Sequence, residues 1–173
     1  MSTDIFESIK LTRLPKPIRL FATMFLLIMA LGYLLAVINV NTVMAGLSYD
    51  NIIRYYLGSK DYPSTYPGMD FNCLISFSHT HVIATGLMLF CLGLVFLFTN
   101  TLPRWLKNFV LISSFAALFL SEGSFWLIKY ITPLGAYLLI FSGVLLGICV
   151  LFEIVIPLYE MWIKKENKAT RQS

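Results

Sequence analysis

The chain alternates long apolar stretches with short polar segments. Four apolar stretches cover about residues 20–40, 79–99, 108–128 and 134–158. Each is long enough to cross a bilayer, because a transmembrane helix needs about 20 mostly apolar residues. The pattern therefore predicts an all-α fold, a four-transmembrane-helix bundle that forms a single integral membrane domain over residues 1–173.

The longest polar segment, about residues 41–78, is predicted to be an ordered outer loop. Ser48 is an N-cap candidate for a short helix, and Gly58 is a suitable stop signal for it. The tyrosines between them suit the lipid–water interface. We expect this helix to lie on the membrane surface, either as an anchor or as a docking surface for an external partner.

Composition and charge add an orientation to this picture. Hydrophobic residues make up 58% of the 173 residues and charged residues only 13%, which excludes a soluble globular domain. Of the 13 Lys and Arg residues, ten lie on one side of the predicted bundle and three, Arg54, Lys60 and Lys129, on the other. Basic residues concentrate in cytoplasmic loops, so both termini are predicted to be cytoplasmic. The net charge of +4 is then a topology signal and does not indicate nucleic-acid binding.

Several features of the spans are assigned to structure. The three cysteines give no disulfide framework, because two of them fall inside spans. Gly143 and Gly147 form a G-x-x-x-G pattern, which packs helices closely, either within this bundle or against another subunit. Glu153 is expected near the cytoplasmic interface, paired with Arg104, Lys107 or a terminal lysine.

The strongest chemical lead is a pair of histidines at the predicted start of the second span. His79 and His81 are the only histidines, and imidazole is the commonest protein metal ligand. On a regular helix they point about 200° apart, so they converge on one ligand only if the helix begins after His79. Glu122 is the expected polar neighbour, because the third span places it about 9 Å below the outer end. We predict a cluster of His81, Thr85 and Glu122 in the outer half of the bundle.

These residues fit several kinds of chemistry. His79 and His81 are candidate ligands of haem b, and together with Glu122 they are candidate ligands of a transition metal ion. Two histidines this close cannot occupy opposite faces of one haem iron, so a methionine or another subunit would complete that site. The same pair could exchange protons at a quinone pocket. The alternative is no cofactor, with a histidine hydrogen-bonded to loop carbonyls and Glu122.

Three segments of the chain resemble a group of poorly characterised bacterial four-span inner-membrane proteins. They are Ser78-His79-Thr80-His81 before Gly86-Leu87-Met88, then Tyr55-Tyr56-Leu57-Gly58, and Pro157-Leu158-Tyr159-Glu160-Met161-Trp162. The resemblance covers most of the chain and implies a multi-pass protein of the bacterial inner membrane, without implying an activity.

The cytochrome b anchor of succinate dehydrogenase is a second, more distant comparison. In that family arginine directly follows the haem-bearing histidine, and Ser/Thr-Gly follows after one more residue. Here Val82 follows His81, and Thr85-Gly86 comes one residue later than in that motif.

The chain lacks Walker, dinucleotide-binding, G-x-S-x-G, H-E-x-x-H and C-x-x-C motifs. The sequence therefore favours a non-catalytic or electron-transfer subunit of a redox-linked complex, with a haem b or metal site near the outer face. The alternatives are a structural or assembly subunit without a cofactor, and a quinone-interacting subunit. Expected partners are the lipid bilayer, other membrane or periplasmic subunits and, in the last case, a quinone.

Overall fold

The computed structural model describes residues 11–42, 46–59, 61 and 67–164, and within these ranges the regular structure is entirely helical. After a 3-10 turn at Leu11–Arg13, the helices are α1 (Lys16–Thr42), α2 (Tyr49–Leu57), α3 (Phe71–Leu97), α4 (Arg104–Tyr130) and α5 (Gly135–Trp162). All except α2 are long and apolar enough to cross a membrane. The predicted all-α fold with four spans is confirmed.

The four long helices run alternately up and down. The end of the bundle that carries α2 is here called the α2 end, and the end that carries the α3–α4 connection is called the opposite end. α4 and α5 share the most extensive interface, and α3 packs against both. α1 contacts the rest of the bundle more sparingly, and within the described residues its buried side chain is Leu26.

α3 begins earlier than the hydropathy pattern predicts. The apolar stretch starts near residue 79, whereas the helix begins at Phe71. The Asp70 side chain accepts a hydrogen bond from the backbone nitrogen of Cys73 at 2.8 Å, and this N-cap satisfies a donor that a helix start leaves unpaired. The two turns after Asp70 are helical and mix apolar side chains with Asn72, Ser76 and Ser78. His79 and His81 therefore lie inside α3 rather than at its entrance.

α2 is the predicted short helix, and it packs inward on the bundle. Ile52 and Tyr56 are its buried side chains. The Tyr56 ring stacks on Phe125 of α4, with ring centroids 5.6 Å apart. The Tyr56 carbonyl accepts hydrogen bonds from the Met69 backbone nitrogen and from Lys129 Nζ, both at 3.2 Å. Tyr56 is thus part of the core, because its ring stacks on Phe125. The sequence analysis instead predicts it at the lipid–water interface.

At the opposite end, Glu160 fastens the α3–α4 connection to α5. Its side chain is 1% exposed. Its carboxylate accepts hydrogen bonds from the Asn100 backbone nitrogen at 2.7 Å and from Thr101 Oγ1 at 2.6 Å. Lys164 Nζ lies 4.0 Å from the same carboxylate. The buried charge is therefore stabilised by donors from two elements.

Replacing Glu160 with Gln is expected to lower the free energy of unfolding by about 1–3 kcal/mol, because hydrogen bonds to an ionised group are lost and the amide can turn a donor toward the Asn100 N–H. Lys164→Ala is the matched control. It removes a partly exposed partner and should cost less than about 1 kcal/mol. Thermal unfolding of both variants in the same detergent measures the difference, and equal losses would contradict the role assigned to Glu160.

Candidate functional site

His81 lies on the inward face of α3 between two phenylalanines. Its ring stacks on Phe77, one helical turn earlier, with centroids 5.5 Å apart and planes 14° apart. The edge contact with Phe125 of α4 has centroids 5.9 Å apart. Phe77 can reach the imidazole because residues four apart share a helix face. The two rings hold the plane of the imidazole in place.

The structure brings His81 and Glu122 together, with His81 Nδ1 hydrogen-bonded to Glu122 Oε1. The side chains are 32% and 13% exposed, and Glu122 Oε2 is buried without a hydrogen-bond partner among the described residues. Glu122 lies about 12 Å from the α2 end of α4, a depth at which a carboxylate needs a donor. With Nδ1 engaged by Glu122, the ring can offer only Nε2 to another molecule.

His79 does not join this pair. It is exposed on the opposite side of α3, as the 200° separation requires once the helix begins at Phe71. Thr85, the third member of the predicted cluster, has no hydrogen bond to His81 or Glu122 within the described ranges. Among the same residues, His, Cys, Asp and Glu side chains nowhere gather in groups of three or more suited to a metal ion. Haem or metal ligation by His79 and His81 therefore stays a prediction, and it needs donors from outside this constellation.

A cavity of about 300 Å³ adjoins the histidine–glutamate pair. It lies beneath α2, between the four long helices, and follows α5 from Leu139 to Leu146, a length of about 10 Å. Its lining is mostly aliphatic and aromatic, and the side chains with polar groups in its wall are Tyr33, Asn41, Tyr55, Tyr56, His81 and Ser121. The volume is at the lower end of the range for small-molecule sites, and an apolar lining with a few polar groups is typical of such sites.

The rim of the cavity between α1 and α5 is aliphatic and exposed. Val37 and Val40 of α1 and Val144 of α5 all line the cavity, and their side chains are 40%, 37% and 47% exposed. In a bundle that crosses the membrane, these helix faces meet lipid rather than water. A molecule dissolved in the bilayer can therefore reach the cavity from the side.

The two glycines of the G-x-x-x-G pattern have different surroundings. A Cβ atom on Gly147 would lie 2.9 Å from the Tyr33 hydroxyl oxygen, so this glycine allows α1 to approach α5 closely. Gly143 lines the cavity and has no neighbouring atom within 4 Å of a Cβ position. Gly147 thus packs inside this bundle, while Gly143 leaves the cavity open.

Tyr56 supplies a polar group from α2 at the roof of the cavity. Burial, followed by the neighbouring Tyr55 and Glu122, raises the pKa of the Tyr56 phenol well above its usual value. The phenol therefore remains protonated over the physiological pH range. Its O–H group is a hydrogen-bond donor that α2 holds above the cavity.

Glu153 is fully buried inside the bundle and, within the described part of the chain, lacks the partner that the sequence analysis predicts. Its side chain is 0% exposed, and neither carboxylate oxygen has a hydrogen-bond partner among the described residues. The expected pairing with Arg104 or Lys107 is not formed, and Lys107 Nζ instead donates to carbonyls at the end of α3. The terminal lysines after Lys164 lie outside the described residues. The predicted pairing with Arg104 or Lys107 was therefore wrong. Because α5 continues to Trp162, Glu153 lies about 14 Å inside the end of the helix.

Sequence reasoning missed several side chains that shape the site. Phe77 could have been found, because it precedes His81 by one turn. Tyr33 and Phe125 carry no comparable signal, since their positions depend on how α1 and α4 pack against the other helices. Aromatic residues are also common throughout these spans, which hides the few that contact the cavity.

A protein-family model described as Aq_1264_TM, a transmembrane helical domain, matches residues 46–168. The match begins just before α2 and includes the whole of α3, α4 and α5, so both His81 and Glu122 lie within it. It agrees with the resemblance to poorly characterised four-span membrane proteins and brings no activity with it. No curated protein and no solved structure matches the chain significantly. Because the matched segment is well over half of the chain, the protein belongs to the Aq_1264_TM family of transmembrane helical domains.

Proposed function

We propose that this chain is a quinone-interacting subunit of a redox-linked complex in the bacterial inner membrane. The observation that carries the proposal is the placement of His81, which is hydrogen-bonded to Glu122, in the wall of an apolar cavity with a lipid-facing rim. A quinone combines a flat ring, carbonyl oxygens and an apolar tail. The ring suits an aromatic lining, the oxygens suit an imidazole and a phenol, and the tail suits the opening between α1 and α5.

The chemistry proposed for the pair is proton exchange with the bound ring. Reduction of a quinone to a quinol takes up two electrons and two protons. His81 would donate both protons in turn from Nε2, one with each electron, and would take up a new proton from the aqueous phase at the α2 end between the two transfers. The Glu122 carboxylate would stabilise the imidazolium form before each transfer. The electrons would come from a partner subunit that carries a redox cofactor. The described residues of this chain thus account for binding and proton transfer, and electron delivery belongs to the partner.

The distribution of basic residues suggests how the bundle is oriented in the membrane. In this proposal both chain ends lie in the cytoplasm, and the α2 end with the cavity faces the outer side of the membrane. The excess of Lys and Arg at the opposite end supports this arrangement. A periplasmic or membrane subunit would then approach the cavity from the side of α2.

Haem b and a transition metal ion are the competing occupants. Within this chain His81 presents one imidazole to the cavity, and its Nδ1 is already bonded to Glu122, while His79 points away. A haem or metal site would therefore need further ligands from a partner subunit. A structural or assembly subunit without any cofactor is the remaining alternative.

The test uses the full chain purified in lipid nanodiscs. We expect saturable binding of a short-chain benzoquinone, and a photoreactive quinone should crosslink to peptides that line the cavity. Glu122→Gln should insert and fold normally, because the amide keeps the shape of the side chain, but it should bind the quinone more weakly. Visible spectra and metal analysis are recorded on the same sample and on the native complex. A Soret band or stoichiometric metal that depends on His81 would replace the quinone proposal, and binding of none of these molecules would favour an assembly subunit.

A further inference from the structure

Glu153 is a buried carboxyl group that the cavity and the proposed quinone chemistry do not use. It lies in α5 toward the opposite end of the bundle, about 14 Å from the end of the helix at Trp162. Its side chain is 0% exposed and neither oxygen has a donor among the described residues. Ser114 of α4 is close enough to interact with it, but the Ser114 hydroxyl donates to the Leu111 carbonyl at 2.9 Å.

Three basic side chains at this end of the bundle have described partners other than Glu153. Lys107 Nζ donates to the carbonyls of Leu97 and Thr99, and Arg19 lies over the Trp162 ring at 4.5 Å. Lys164 is directed to Glu160 and the α3–α4 connection. None of them hydrogen-bonds to Glu153. An unpaired carboxylate in an apolar environment is so costly that such a group takes up a proton instead.

The backbone around Glu153 adds a second polar feature. Pro157, four residues later, has no N–H, so the usual helical donor to the Glu153 carbonyl is missing. Glu160 follows Glu153 by about two turns on the same face of α5, and Lys164, just beyond the helix, has its Nζ 4.0 Å from the Glu160 carboxylate. Polar side chains therefore recur on this side of α5 between Glu153 and the opposite end of the bundle.

From this arrangement we infer that Glu153 is a proton-binding site in the half of the bundle opposite to the cavity, and that it exchanges its proton with the aqueous phase at that end. The other titratable groups around it are Cys149 and Glu160 on α5, and Tyr33 on α1, whose hydroxyl lies against Gly147. The polar group that α4 presents is Ser114, which does not titrate. The inference does not depend on what the cavity binds.

Infrared spectroscopy of the full chain in nanodiscs tests this inference. We expect the carbonyl stretch of a protonated carboxylic acid at neutral pH, a shift of that band in deuterium oxide, and its loss in Glu153→Gln. Glu160→Gln is the matched control, and it should keep the band because the Glu160 carboxylate accepts hydrogen bonds from Asn100 and Thr101, whereas Glu153 has no such donors among the described residues. A spectrum in which Glu153→Gln removes no acid band would overturn the inference, and so would an acid band that deuterium oxide leaves unshifted.

A second measurement requires no variant and therefore does not depend on the folding of Glu153→Gln. An apolar carbodiimide adds to protonated carboxyl groups in membranes and avoids ionised ones. Mass spectrometry of the labelled wild-type chain should locate the adduct at Glu153, with Glu160 unlabelled. Absence of the adduct at Glu153, or equal labelling of both residues, would contradict a proton-holding Glu153.

Discussion

Replacing His81 with Phe is expected to weaken the binding of a short-chain quinone about 10- to 100-fold, the equivalent of one hydrogen bond to a charged group. The substitution suits the surroundings, because His81 already lies between the rings of Phe77 and Phe125. It removes Nε2, the nitrogen that the Glu122 contact leaves for a ligand. Titration of the purified variant in nanodiscs with the quinone measures the loss.

His79→Phe is the matched control for this experiment. It makes the same chemical change two residues earlier, at an exposed position on the other side of α3. We expect binding to be unchanged within the error of the titration. Equal weakening by the two substitutions would show that the effect is not specific to the cavity wall, and unchanged binding in His81→Phe would remove the pair from the proposed site.

The same substitution has a consequence for stability. Without the imidazole, the Glu122 carboxyl group loses its hydrogen-bond donor and remains mostly buried, which costs about 1–3 kcal/mol. Combining His81→Phe with Glu122→Gln should restore part of that loss, because the amide carries no charge. The double variant should therefore be more stable than His81→Phe alone but should bind the quinone just as weakly, which distinguishes the effect on stability from the effect on binding.

The fold could be predicted from the sequence because its dominant signals are local in the chain. A run of apolar residues long enough to cross the bilayer identifies a span wherever the span packs, so all four long helices were found. The start of α3 was missed because hydropathy measures preference for lipid and not helix formation. Asp70, an N-cap just after Gly68, is the local signal that marks the start and that hydropathy alone overlooks.

Only one contact of the candidate site could be predicted from the sequence, because it depends on how far each residue lies along its helix. Counting residues from the ends of two antiparallel spans was enough to bring His81 near Glu122, and the structure has this pair. The cavity was not predictable, because it depends on the distance between α1 and α5. That distance is fixed by Tyr33 against Gly147, a contact between residues more than 100 positions apart in the chain.

The two members of the G-x-x-x-G pattern illustrate the same limit. Their spacing indicates that one face of the helix carries small residues, but it does not predict which side chains lie beside each glycine. In the structure Gly147 receives a side chain from α1, whereas Gly143 faces open space. Two equivalent residues of one motif thus have different roles, because the neighbouring helix contacts only one of them.

Gly143→Leu is therefore expected to fill part of the cavity and to reduce quinone binding at least about 10-fold, which corresponds to about 1.4 kcal/mol. No atom lies within 4 Å of the Cβ position, so the added side chain has space. Leucine also has a higher helix propensity than glycine, by up to about 1 kcal/mol, so the bundle should be as stable as the wild type or slightly more stable. Quinone titration and thermal unfolding of the same preparation separate the two effects.

Gly123→Leu is the matched control, because Gly123 is exposed on α4, does not line the cavity and likewise has no atom within 4 Å of a Cβ position. Both variants add the same side chain to a membrane-spanning helix, so they share any general effect on insertion. Only Gly143→Leu should lose binding. If it binds the quinone as tightly as Gly123→Leu, the ligand does not occupy this cavity, since a cavity of about 300 Å³ that a leucine side chain partly fills cannot hold the ring as before.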